Sequence, residues 1–88
     1  MKSAFRKSFT RDVKKIKNRD VLERVRQAIE KVEKAAGLSE IANLKKIVGT
    51  ADWYRIRVGE YRIGVVIQSD TAEFVRCLPR RDLYRYFP

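Results

Sequence analysis

The sequence predicts a small α+β domain, and three observations carry that prediction. Residues 21–36 place apolar side chains at helical spacing, residues 53–68 alternate apolar and polar side chains on either side of a Gly-Glu pair, and hydrophobic residues make up 44% of an 88-residue chain, enough for a core. At this length one domain is expected, burying about 60% of its unfolded surface. Residues 1–88 are accordingly read as a single unit.

Taken in order, Ala4 to Phe9 alternates weakly and reads as a short first strand. Thr10 stands where a helix N-cap belongs, and Arg11 to Lys17 reads as a short amphipathic helix with Val13 and Ile16 inward and Lys14, Lys15 and Lys17 toward water. Asn18 interrupts. Val21, Leu22, Val25, Ala28, Ile29, Val32 and Ala36 then recur one turn apart, with Gly37 at the C′ position. The outer face of this helix mixes Glu23, Arg24, Arg26, Glu30, Lys31, Glu33 and Lys34, which reads as a solvated surface. Residues 38–52 read as an ordered connection ending in the turn Gly49-Thr50-Ala51-Asp52. Trp53 to Val58 and Tyr61 to Gln68 form a hairpin, with Gly59 first in a two-residue type II′ turn. A second turn at Ser69-Asp70-Thr71 leads to a strand from Glu73 to Leu78, which Pro79 stops. The tail Arg80 to Pro88 is too short for a stable free helix. The sum is two helices and about four strands, the last three antiparallel.

Composition removes whole classes of mechanism. The formal charge is +10, from 21 Lys and Arg against 11 Asp and Glu, and there is no histidine. Triads of the usual kind, an imidazole base and His-bearing zinc sites are excluded, and no metal or other cofactor is expected. The lone Cys77 cannot form an internal disulfide and reads as an apolar core filler. A reducing cytoplasm is the expected compartment, since the N-terminal segment lacks a signal peptide's apolar run and no stretch approaches a membrane span. The basic residues also divide by type. All nine Lys precede Ile47, whereas positions 53–88 carry seven Arg and no Lys. Arg offers a planar fork that grips phosphate and stacks on bases, where Lys is a mobile, hydrated point charge.

The hairpin turn fixes the register. Val58 pairs with Tyr61, Arg57 with Arg62, Ile56 with Ile63 and Arg55 with Gly64. Tyr54, Ile56, Val58, Tyr61, Ile63, Val65 and Ile67 then share the face toward the helices, and Trp53, Arg55, Arg57, Arg62 and Gly64 share the other. Like charges directly opposite destabilise a sheet by up to about 1 kcal/mol, so Arg57 against Arg62 makes sense if an anion lies between them, with Gly64 leaving a shallow space beside Arg55. Beyond Pro79, Arg80, Arg81 and Arg85 interleave with Tyr84 and Tyr86, the composition by which forks hold phosphates and rings stack on unpaired bases. A solvated basic surface, with the tyrosines as core or partner contacts, is the competing reading.

These residues match a family. A short strand, two helices, W-Y-R-I-R-V-G-E-Y-R-I-G-V-V and a terminal R-R-D-L-Y resemble the RelE/ParE superfamily of type II toxin-antitoxin toxins, and more closely its RelE-like messenger-RNA endonucleases. The resemblance covers nearly the whole chain, and its specific part is the combination of Y-R-I-R, G-E-Y-R and R-R-D-L-Y at these separations. It implies a short N-terminal strand and two antiparallel helices packed on a three- to four-stranded, mainly antiparallel sheet. It also implies a small basic toxin that enters the ribosomal A site, cleaves the messenger there and is held inactive by a cognate antitoxin. Arg55 and Arg57 fall on the two basic positions of the first hairpin strand, the second commonly regarded as the base. Arg62 falls on the residue holding the scissile phosphate, Arg80 on the one assisting the leaving group, and Tyr84 on the tyrosine that stacks and orients the nucleotide. The implied reaction is attack of an RNA 2′-hydroxyl on the adjacent phosphate, giving a 2′,3′-cyclic phosphate and a free 5′-hydroxyl without metal. Trp53, Lys45, Lys46, Arg81, Arg85 and Tyr86 are read as further contacts to messenger or ribosomal RNA, with capping of the sheet edge an equal reading for Trp53.

Two positions depart from the family pattern. Arg57 stands at the proposed base, where a guanidinium is a poor proton acceptor, and Pro79 stands where relatives often carry a small basic or His residue. Two other classes compete: a ParE-like toxin that binds DNA gyrase, and a non-catalytic module that pairs with an acidic partner.

Overall fold

The computed structural model describes all 88 residues. β1 (Lys2–Phe5) leads into α1 (Lys7–Lys14) and α2 (Arg19–Lys34), a 3-10 turn spans Leu38–Glu40, and β2 (Leu44–Lys46), β3 (Trp53–Val58), β4 (Tyr61–Gln68), β5 (Thr71–Pro79) and α3 (Arg80–Tyr86) follow. The strands form one sheet in the order β1-β5-β4-β3-β2, with β1 parallel to β5 and all other pairs antiparallel.

The α+β class and the hairpin stand as the alternation predicts. Val58 faces Tyr61, Arg57 faces Arg62, Ile56 faces Ile63 and Arg55 faces Gly64. Gly59 takes φ +59°, while Glu60 stays at negative φ, the combination a type II′ turn requires. Ser69 and Asp70 both take positive φ, the tight-turn backbone that joins β4 to β5.

Several boundaries differ from the sequence reading. β1 lies at Lys2–Phe5, ahead of the predicted Ala4–Phe9, because its partner is the start of β5, where Phe5 pairs with Phe74 and stacks on it. α1 therefore starts at Lys7, and Thr10 lies inside it with its hydroxyl turned back to the Arg6 carbonyl. The cap that does form is at α2, where the Asn18 side chain accepts from the backbone N–H of Asp20 and Val21. Gly37 is no αL terminator. Its φ is −160°, and α2 ends with Ala35 as C-cap. The connection 38–52 holds a strand, β2, whose Leu44, Lys45 and Lys46 pair with Ile56, Arg55 and Tyr54. The tail is a third helix, which packing on the sheet stabilises where propensity alone does not. The sheet thus has five strands and the chain three helices.

The main core lies between the helices and one sheet face, where Phe9, Ile16, Val25 and Val32 meet Ile56, Val58, Ile63, Val65, Ile67, Phe74 and Cys77. Burial and the nearby Asp12 charge push the Cys77 thiol up to about 12, so it stays protonated and unreactive at neutral pH, as an apolar filler does. A second, smaller core occupies the opposite face, where Leu83 and Phe87 of the tail close over Ile47 and Val75, with Trp53 and Val66 at its margin. No helix is long and apolar enough to cross a membrane.

Candidate functional site

β3 and β4 run side by side, so the parity of each strand fixes what the second face carries. At one end Trp53 and Val66 meet the tail, and Trp53 packs on the Phe87 ring at a centroid distance of 4.6 Å. At the other end Arg57 and Arg62 face each other beside the hairpin turn. The expected space beside Arg55 is occupied: Gly64 lies under the Phe87 ring, and a Cβ there would stand 2.7 Å from two of its carbons. Gly64 therefore serves the seating of the tail rather than leaving room for an anion.

The open end forms a cleft of about 480 Å³ lined by Arg24, Asn43, Arg57, Gly59, Glu60, Arg62 and Arg80. Beside it Glu60, Pro79, Arg80, Arg81 and Tyr84 line an adjoining hollow of about 600 Å³. Arg80 borders both. Its placement is fixed by its backbone N–H, which donates to the Glu60 carbonyl at 2.8 Å and so ties the start of α3 to the hairpin tip. Tyr84 lies one turn further on and is 59% exposed, free to meet a ring.

Arg62 is the least exposed of the set. The sequence places it on the solvent side of the sheet, yet only 8% of its surface is accessible, and its side chain turns back to the hairpin tip. Its Nη1 donates to the carbonyls of Gly59 at 2.8 Å and Tyr61 at 2.9 Å. Burial lowers its pKa, and the positive charges of Arg55, Arg80 and Arg57 lower it further, opposed only by Glu60. Five ion pairs exist in the molecule, and none involves Arg24, Arg55, Arg57, Arg62 or Arg80. These guanidiniums are near one another and none is ion-paired, an arrangement that favours binding of an anion.

Among the residues read from the sequence, the cleft and hollow gather Arg57, Arg62, Arg80, Arg81 and Tyr84. Arg55 shares their face, near enough for its charge to act on Arg62, and Lys45 extends that face toward the sheet edge as Arg55's cross-strand neighbour. Lys46 pairs with Tyr54 and so has the opposite parity. Trp53 belongs to the second core. Arg85 and Tyr86 lie on α3 outside the cleft lining, and Tyr86 receives the Arg76 guanidinium 5.4 Å from its ring centroid. Three lining residues carry no functional mark in the sequence. Arg24 is on a helix face that reads as solvated, and Asn43, at φ +64°, is in a connection without clear periodicity. Glu60 reads as a turn residue only. No group of three or more His, Cys, Asp and Glu side chains is placed to hold a metal ion.

A layered α+β fold with an open arginine cleft at a hairpin tip defines a small basic protein whose cleft carries the charge to attract an anion. Residues 4–84 match the family described as ParE toxin of type II toxin-antitoxin system, parDE. Over 89 aligned residues, covering all of both chains, the protein is 39% identical to Toxin RelE3 of Methanocaldococcus jannaschii. It superimposes with a TM-score of 0.81 on a chain of the RelB-RelE antitoxin-toxin complex from Methanococcus jannaschii, at 38% identity and covering 97% of this chain and 99% of that one. A chain of the archaeal RelE-RelB complex from Pyrococcus horikoshii shares the fold at a TM-score of 0.73 and 19% identity, with 90% and 93% of the two chains covered. The chain belongs to the RelE/ParE superfamily of type II toxin-antitoxin toxins.

Proposed function

We propose that this toxin is a metal-independent endoribonuclease that cleaves messenger RNA in the ribosomal A site and thereby stops translation in the cytoplasm. One observation carries the reading: Arg57, Arg62 and Arg80 converge on a single open cleft with no carboxylate paired to any of them. Attack of a 2′-hydroxyl on the adjacent phosphate builds up a doubly charged pentacoordinate phosphorane, and fixed guanidiniums stabilise that charge in the place where it develops. Arg62, held by two carbonyls and largely desolvated, holds the scissile phosphate. Arg80 supports the departing 5′-oxygen, and exposed Tyr84 orients a neighbouring base by stacking. Arg55 and Arg57 add charge stabilisation, and Arg81 with Lys45 contributes weaker attraction to messenger and ribosomal RNA, which falls as salt rises.

The inhibitor is a cognate antitoxin, by likeness to the RelE relatives crystallised with RelB. An acidic segment of such a partner complements the arginine cleft and the lysine-rich helices. Primer-extension mapping after brief induction tests both statements. Cuts confined to translated frames, suppressed by co-expressing the neighbouring antitoxin gene, are the expected outcome. Intact messages accompanied by gyrase-linked DNA breaks would overturn it in favour of ParE-like action.

A further inference from the structure

We propose that Glu60, at the tip of the β3–β4 hairpin, is the proton acceptor for the attacking 2′-hydroxyl. The inference rests on the ribonuclease reading above and supplies what that reading lacks, since a guanidinium at position 57 holds its proton too firmly to act as a base.

Three observations place Glu60 there. It lines both the arginine cleft and the adjoining hollow, and it is the only carboxylate that lines either. Its backbone is held, because the Glu60 carbonyl accepts from the Arg80 N–H at 2.8 Å and the preceding Gly59 carbonyl accepts from Arg62 at 2.8 Å. The carboxylate itself is unspent: it enters no ion pair and no side-chain hydrogen bond, although its charge acts on Arg62. An acid whose purpose was to neutralise the cleft would be paired to one of its arginines, as Asp12 is to Arg76 elsewhere in the molecule.

The step balances within the site and solvent. The 2′-hydroxyl proton passes to the Glu60 carboxylate while the 2′-oxygen bonds to phosphorus. The bond from phosphorus to the 5′-oxygen breaks, and the leaving oxygen takes a proton from water. Glu60 then returns its proton to solvent. Arg62 and Arg80 carry the phosphorane charge throughout, which separates the two tasks among different residues.

The test is single-turnover cleavage of messenger on programmed ribosomes, comparing wild type, Glu60→Gln and Glu60→Asp, each first shown to bind ribosomes and to fold by circular dichroism. A positioned base contributes roughly 10²- to 10⁴-fold, so Glu60→Gln is expected to lose that much in the cleavage rate at saturating ribosomes, with Glu60→Asp recovering part of it. If Glu60 only tempers the positive field, Glu60→Gln will bind ribosomes more tightly and cleave at the wild-type rate, which would overturn the assignment. Absence of cleavage by wild type itself would sink the ribonuclease reading, a result separable from loss in the variant alone.

Discussion

Arg62 and Arg76 lie on adjacent strands of the same sheet, both largely withdrawn from water, and they are treated in opposite ways. Arg76 donates to both oxygens of Asp12, at 2.7 and 3.0 Å, and its pKa is raised, first by that hydrogen bonding. Arg62 has only two backbone carbonyls for company, and its pKa is lowered, first by burial and then by neighbouring guanidiniums. The first uses its charge inside the fold. The second is buried without an ion-pair partner, which leaves its charge available to a ligand.

The difference follows from the elements around each strand. β1 pairs with β5 only as far as Phe74, leaving the outer edge of β5 without a strand beyond it. α1 covers that edge: Ser8 donates to the Val75 carbonyl, and Asp12 accepts from the Cys77 N–H at 3.0 Å as well as from Arg76. Asp12 therefore stands in for a missing strand. At the hairpin tip the start of α3 is tied on through the Arg80–Glu60 backbone hydrogen bond, and it brings no carboxylate to pair with Arg62.

The largest expected effect breaks the structural member of the pair. Asp12→Ala leaves the Arg76 charge and the Cys77 N–H without partners in a site where the Asp12 side chain is 3% exposed. Removing one partner of a buried pair costs about 3–5 kcal/mol, to be read as a lower midpoint in urea denaturation. An unchanged midpoint would show that α1 is not held to β5 through this carboxylate. Arg62→Ala should behave in the opposite manner. Loss of a preorganised charge-stabilising donor lowers the cleavage rate by about 10²- to 10³-fold. The unfolding midpoint is expected to match or exceed that of wild type, since an uncompensated cation leaves the fold. A variant that both unfolds and loses activity would erase the distinction between the two arginines.

The same contrast explains what is legible in the sequence. Short-range rules place α2, the β3–β4 register and the gathering of Arg55, Arg57 and Arg62, because period and turn chemistry depend on neighbours along the chain. The ion pair between Asp12 and Arg76 spans 64 residues, and nothing local to either marks it. β2 has only three residues and is defined by its partner β3, so the connection holding Asn43 shows no strand pattern of its own. The tail is illegible for the same reason. As a free segment it is too short to be helical, yet Leu83 and Phe87, both fully buried, fasten it to the sheet. Glu60 stands at the tip of a turn already accounted for by Gly59, and the approach of Arg80 that sets it beside the cleft comes from far along the chain.

Gly64 is where the two treatments of arginine meet, opposite Arg55 on one strand and Arg76 on the other, beneath the Phe87 ring. Gly64→Ala introduces a Cβ 2.7 Å from that ring, and the backbone beneath it is held in a central strand, so the tail must give way. Overpacking of this kind costs about 1–3 kcal/mol, less than breaking the Asp12–Arg76 pair. Its effect on cleavage is expected to exceed its effect on stability, because the base of α3 carries Arg80 and Tyr84 and their spacing from Arg62 depends on how the tail sits. A double-mutant cycle isolates the cause: in a Phe87→Ala background the ring is gone, and the further change Gly64→Ala should then be close to neutral for stability. If the penalty persists there, the glycine is required by the strand itself, and the tail is positioned by Leu83 and the Arg80–Glu60 hydrogen bond instead.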